Sequence, residues 1–209
     1  MELQPEGNTM RIGILGAGGM ADALGTQWAR QGHDLMIATR TNPAPLATRL
    51  GARTGDYAEA AAFGEVLLLA VPAAAALDVL TAADLPPGRT VIDCANPVGP
   101  DWTLTTDGAS LAEQLATTGA HVVKAFNLCH VDIWRMTPPA FAARPVLVPL
   151  CGDHPESLDR AGSLVRDLGC TPVVAGPLSR AALLEATAAF AIGLWMNGAD
   201  AQAMLPPLG

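Results

Sequence analysis

Gly13-Ile14-Leu15-Gly16-Ala17-Gly18-Gly19-Met20-Ala21 is the stretch whose reading decides the fold. It follows a short aliphatic run, Arg11–Leu15, and opens an Ala-rich helical run. Within it stands G-x-G-x-x-A, with Gly16, Gly18 and Ala21 at the three marked places. Gly16 permits the tight turn out of the strand. Gly18 has no Cβ, so a pyrophosphate can approach the backbone, and Ala21 lets the helix pack closely on the strand. Free N–H groups and the helix dipole then face the phosphates. Residues Gly16, Ala17, Gly18, Gly19, Met20 and Ala21 are therefore candidate dinucleotide ligands.

The following strand distinguishes the coenzymes. An NAD site usually places an acidic residue about 20 residues beyond the loop, on the ribose 2′-hydroxyl. Here the strand ends Ile37-Ala38-Thr39-Arg40-Thr41-Asn42. A hydroxyl and a guanidinium replace the acid, and Thr39 and Arg40 suit a 2′-phosphate. A charge-assisted hydrogen bond contributes roughly 1.5–3 kcal/mol, so NADP(H) is expected to bind about ten- to a hundredfold more tightly than NAD(H).

Outward from this loop, aliphatic runs alternate with helical ones. Strands are expected over 11–15, 35–39, 65–71, 90–95, 121–126, 146–151 and 171–175, with a short one near 52–54. Helices are expected over 20–31, 57–62, 73–82, 110–118, 155–168 and 179–196. The continuous apolar strands indicate a sheet covered on both faces. The class is α/β, Rossmann-type and doubly wound, with a mostly parallel sheet and a C-terminal apolar helix. Gly32 and Gly169 read as left-handed helix ends, and Asp153 as a capping carboxylate ahead of Pro155. Residues 1–9 read as a disordered tail, with Met10 an alternative start. Residues 10–209 read as one NADP-binding domain.

Composition narrows the function. Among 209 residues, 50% are hydrophobic and 15% charged, with a net charge of −8. That balance disfavours a nucleic-acid surface or an anionic membrane. No apolar run reaches the roughly 18 residues of a membrane span, and the first residues lack a secretory signal. The four cysteines form no CxxC pair and are expected as reduced thiols in a cytoplasmic protein, with no metal site. The lone tyrosine, Tyr57, is followed four places on by Ala61, so a Tyr-x-x-x-Lys pair is absent. Lys124, the only lysine, lies in an expected strand and reads as a residue whose tip reaches solvent. A Rossmann domain without an acid–base pair suits hydride transfer to another cofactor whose ring does its own chemistry.

With these residues read, the chain resembles the NADPH-dependent reductases of coenzyme F420 (8-hydroxy-5-deazaflavin). It also resembles the related nucleotide-binding domain of the STEAP metalloreductases. The resemblance rests on the glycine loop, on Thr39-Arg40, on Leu69-Ala70-Val71-Pro72 and on Asp93-Cys94-Ala95-Asn96-Pro97. Val122 through Asn127, Cys151-Gly152-Asp153 and Ala175 through Ser179 carry it further. It implies that Val71, Pro72 and Asn96 border the nicotinamide. It further implies that the segment from Asn127 to Val131 borders the hydride acceptor, F420, FMN or FAD. Asn127 and His130 are then the candidate catalytic residues. Deazaflavin reductases often carry histidine where Asn127 stands, whereas metalloreductase-like relatives carry asparagine, which leaves flavin open. The all-round apolar helix over 179–197 is expected to pair two subunits in a homodimer. Two alternatives stay open: an NADPH-binding redox sensor without turnover, and a flavin-dependent metalloreductase-like activity. An imine reductase would need a longer helical C-terminal domain.

Overall fold

The computed structural model describes residues 9–141 and 144–201. The expected tail over 1–9 lies, except for Thr9, outside the described residues.

Six strands run parallel: β1 (Arg11–Leu15), β2 (Asp34–Ala38), β3 (Arg53–Thr54), β4 (Val66–Leu69), β5 (Thr90–Asp93) and β6 (His121–Lys124). A two-stranded antiparallel pair follows, β7 (Ala140–Phe141) with β8 (Arg144–Pro145). Two further strands, β9 (Leu147–Cys151) and β10 (Thr171–Gly176), are parallel to each other. β9 joins β6 antiparallel through Lys124 and Cys151. The order across the main sheet is β10-β9-β6-β5-β4-β1-β2-β3. The chain thus winds outward one way from β1 through β2 to β3, and the other way from β4 through β6. The topological switch lies between β1 and β4, where an open α/β sheet leaves its ligand crevice.

Helices cover both faces. One core packs α1 (Gly19–Arg30), α2 (Ala44–Leu50), α6 (Val131–Arg135) and α7 (Pro155–Asp167) through residues such as Leu24, Trp28, Trp134 and Leu164. The other packs α3 (Tyr57–Phe63), α4 (Ala73–Ala82), α5 (Leu111–Ala116) and α8 (Ala181–Met196) through Ala60, Leu80, Leu115 and Ala181. The cores of β1, β4 and β5 are buried on both sides, which explains their unbroken aliphatic runs.

Local chemistry sets the helix ends. Asp56 with Glu59, and Ser110 with Glu113, form reciprocal capping boxes at α3 and α5. Gly32 and Gly169 take φ of +86° and +76°, as expected of left-handed ends. Asp153 departs from its expected role. Its Oδ1 accepts from the Leu178 N–H at 2.9 Å, and the N-cap position of α7 is His154, which makes no side-chain cap. The carboxylate instead ties the start of α7 to the 3-10 turn Leu178–Arg180 that leads into α8. α2 and α6 were not expected from the sequence. They are seven and five residues long, too short for a helical period to stand out.

Gly16 shows how tightly the first turn is built. Its φ is +118°, and an added Cβ would lie 2.1 Å from the Ala70 carbonyl oxygen. Gly16→Ala is therefore expected to lower stability by roughly 2–5 kcal/mol through backbone strain and overpacking. A urea unfolding series read against wild type checks this.

Candidate functional site

The site assembles at the carboxyl ends of β1, β4, β5 and β6. Past β1, the glycine loop leads to α1, whose N-terminal residue Gly18 is extended and whose first amides receive no side-chain cap. The first amides of any helix lack intrahelical partners. A Cβ at Gly18 would meet no atom within 4 Å, so the backbone there faces open space. Ala21 is fully buried against the sheet. These are the features a pyrophosphate cradle requires, and the residues present fit one. Thr39 is half-buried just beyond β2, and Arg40 is exposed and joins no ion pair among the described residues. Their neighbours Thr41 and Asn42 line a cavity of about 470 Å³ together with Ala17, Gly18 and Gly19.

A larger cleft, about 710 Å³, opens beside it. Met20, Val71, Pro72, Asn96, Asn127, His130 and Val131, all singled out from sequence, line this one space. So do Cys94, Ala95, Phe126, Leu128, Cys129 and Ile133. The far wall is α8, through Ala188, Ile192, Trp195 and Met196. Sequence assigned that helix to subunit pairing alone. Its uniform apolarity gave no sign of which side faces a ligand. The opposite side is open, with Leu183 53% and Phe190 59% exposed. By length and composition, Leu178–Met196 is also long and apolar enough to cross a membrane, unlike any uninterrupted apolar run in the sequence. In the fold it walls the cleft.

Asn96 and Asn127 fasten the floor. Asn96 Nδ2 donates to the Asn127 carbonyl at 2.8 Å, and Asn127 Nδ2 donates to Asn96 Oδ1 at 3.0 Å. Asn127 Nδ2 also donates to the Leu184 carbonyl at 3.1 Å, which ties α8 to β6. Asn127 is 5% exposed, yet its Oδ1 has no hydrogen-bond partner among the described residues. A buried acceptor with no donor costs about 1–3 kcal/mol, so this oxygen is suited to a ligand N–H or O–H. Just before it, Phe126 takes a left-handed φ of +62°. Trp28 and Trp134 hold it edge-on, with ring centroids at 6.1 and 5.3 Å. Strained backbone of this kind persists only where its surroundings enforce it.

Beneath the floor lies an ionic cluster. Contrary to the expectation of a solvent-reaching tip, the Lys124 side chain is 0% exposed. The reason is the partners it finds. Its Nζ donates to Asp93 Oδ2 at 2.8 Å, Glu185 Oε1 at 3.0 Å and the Ala95 carbonyl at 2.6 Å. Glu185, also fully buried, accepts from the Leu111 and Ala112 amides at the start of α5. Burial by itself would lower the pKa of the Lys124 amine, but the Asp93 and Glu185 carboxylates outweigh it and hold the pKa above the ordinary 10.5.

The other candidates have quieter surroundings. His130 caps α6, its Nδ1 accepting from the Asp132 N–H at 3.3 Å, and its ring is exposed at the rim of the cleft. Burial, aided by the Asp93 charge, pushes the Cys94 thiol up to about 12, and burial pushes Cys129 up to about 11. Both stay protonated near neutrality and act as small packing groups. No carboxylate or lysine lines the cleft among the described residues, and no metal-binding cluster is found among them.

Known proteins resemble this chain in sequence and fold. Residues 11–97 match the family described as NADP oxidoreductase, coenzyme F420-dependent. That match runs from β1 to Pro97, just beyond β5, and the family it describes is one of NADP-dependent oxidoreductases. Metalloreductase STEAP3 of Rattus norvegicus is 30% identical over 181 residues, which cover 84% of this chain and 36% of the relative. The chain therefore spans only 36% of that relative's length. A crystal structure from Arthrobacter sp. fb24, described as a candidate F420-dependent NADP-reductase, is 27% identical with a TM-score of 0.79. The match covers 91% of this chain and 96% of that one. A reductive aminase from Aspergillus terreus, solved with NADPH and ethyl-5-oxohexanoate, shares the fold at 21% identity and a TM-score of 0.65. The match covers 91% of this chain and 63% of the aminase.

Removing the lysine tests the cluster. Lys124→Met leaves two buried carboxylates without their cation and is expected to cost about 3–5 kcal/mol. The wild-type pH dependence follows from the raised pKa. The Lys124 contribution is whole below its unfolded value of 10.5 and is lost as pH rises through the higher folded value. Thermal melts of wild type and Lys124→Met are expected to stay apart from neutrality up to pH 10.5 and to draw together as pH rises further; convergence near neutrality would contradict the assignment.

Proposed function

We propose that this oxidoreductase transfers hydride between NADP(H) and a planar ring acceptor, either a deazaflavin such as coenzyme F420 or a flavin, FMN or FAD. The observation that carries the reading is the adjacency of two cavities. One is lined by Ala17, Gly18 and Gly19, and beside it lies an apolar cleft of about 710 Å³, reached by Met20 and lined by Asn96 and Asn127, large enough for a ring and its partner. Bound NADPH would supply a hydride from C4 of its nicotinamide. The chain's own residues then have separate tasks. Ala17 through Ala21 hold the pyrophosphate with backbone amides, and Thr39 and Arg40 take the 2′-phosphate. Val71, Pro72 and Asn96 border the nicotinamide. Asn127 offers its unpaired Oδ1, and His130 hydrogen-bonds the acceptor ring from the rim. α8 excludes water from the opposite side.

The lining contains no side-chain acid–base pair. Its contribution is to hold two flat rings in near-attack geometry, and effective molarity alone is able to lower a barrier by about 7–11 kcal/mol. The relatives named as an F420-dependent NADP-reductase and a metalloreductase support a redox reaction at this cleft. The exposed Leu183 and Phe190 on the outer side of α8 support pairing with a second copy of this chain.

Incubation with NADPH and each acceptor in turn, followed by the loss of nicotinamide absorbance, tests the reading. Turnover is expected with F420, FMN or FAD, and absence of turnover with all three overturns it. Calorimetry of Arg40→Ala is expected to show NADPH affinity falling about ten- to a hundredfold with NADH affinity unchanged. Equal loss for both would remove Arg40 from the 2′-phosphate. Analytical ultracentrifugation is expected to give a dimer that Phe190→Glu converts to monomer.

A further inference from the structure

α6 is five residues long, yet it faces both halves of the site. Val131 and Ile133 line the large cleft, while Arg135 lines the second cavity beside Gly18, Gly19 and Arg49. A Cβ added at Gly19 would stand 3.6 Å from Arg135 Nη2 and 3.4 Å from Val131 Cγ2. The guanidinium therefore lies directly against the glycine loop, and it reaches that loop from a different element than the α1 amides.

The surroundings keep it there. Asp22, in the first turn of α1, pairs through Oδ1 with Arg49 Nη1, and its Oδ2 lies 3.6 Å from Arg135 Nη2. Arg135 Nη1 also binds Asp132 Oδ1 one turn earlier on α6. The short helix itself is anchored, because Gln27 Nε2 of α1 donates to the Trp134 and Met136 carbonyls at 3.0 and 2.7 Å. A guanidinium carries five donors in a planar fork, so these two carboxylates leave donors free for a phosphate. In a chain of net charge −8, a cation beside the cradle matters to a pyrophosphate dianion.

We propose that Arg135 is a second pyrophosphate ligand, which closes over the coenzyme from α6 opposite the helix amides. This rests on the NADP(H) reading of the same site. Its signature differs from that of Arg40. The pyrophosphate is common to NADPH and NADH, whereas the 2′-phosphate belongs to NADPH alone.

Calorimetric titration of wild type, Arg135→Ala and Arg135→Lys with NADPH, NADH and adenosine 2′-phosphate decides the matter, with thermal melts to verify folding. Arg135→Ala is expected to weaken NADPH and NADH by the same factor, about ten- to a hundredfold, and to leave adenosine 2′-phosphate unchanged. Arg135→Lys, which keeps the charge and loses the fork, is expected to fall between the two. Unchanged NADPH affinity, loss confined to NADPH, or equal loss for adenosine 2′-phosphate each overturns the proposal. If wild type binds NADPH and Arg135→Ala binds it equally well, only this assignment fails. If wild type itself ignores NADPH, the coenzyme reading fails with it.

Discussion

A single ammonium group holds the cleft end of this fold together. Lys124 Nζ reaches the last residue of β5, the carbonyl just beyond it and the first turns of α8 at once. Glu185 extends the tie to the beginning of α5. The β5, β6 and α8 walls of the large cleft are therefore referred to one buried charge. Ion clusters of this kind add little net stability over an apolar replacement, and their familiar use is to specify one arrangement. Here the arrangement is the distance between the strand ends and the helix that faces them.

That fastening explains why α8 is apolar on both sides without being buried on both. One side must be dry to wall the cleft, while Glu185 supplies the polar attachment at its inner end. Hydropathy along the chain registers only that the helix is greasy. It does not separate the side that lines the cleft from the side left exposed.

The β1–loop–α1 unit was legible because its chemistry is local. Gly16, Gly18 and Ala21 act within a few residues of one another, and the strand before them is buried on both faces. Thr39 and Arg40 stand just past β2, half-buried and exposed, as a local reading of the strand end places them. Lys124 was misread because its partners are 31 and 61 residues away, and alternation along a strand says nothing about a cation's distant counter-charges. Asp153 was assigned to the nearest helix but bonds an amide 25 residues on. α6 and its Arg135 carried no periodic signal, so the contact of this five-residue helix with Gly19 was not legible.

The amide of Asn127 is oriented by its neighbours before anything else meets it. Its nitrogen is engaged twice, by Asn96 and by the Leu184 carbonyl of α8, which fixes the plane of the group. A donor group presented to its oxygen would meet an acceptor already aimed, and would cost the side chain little rotamer freedom.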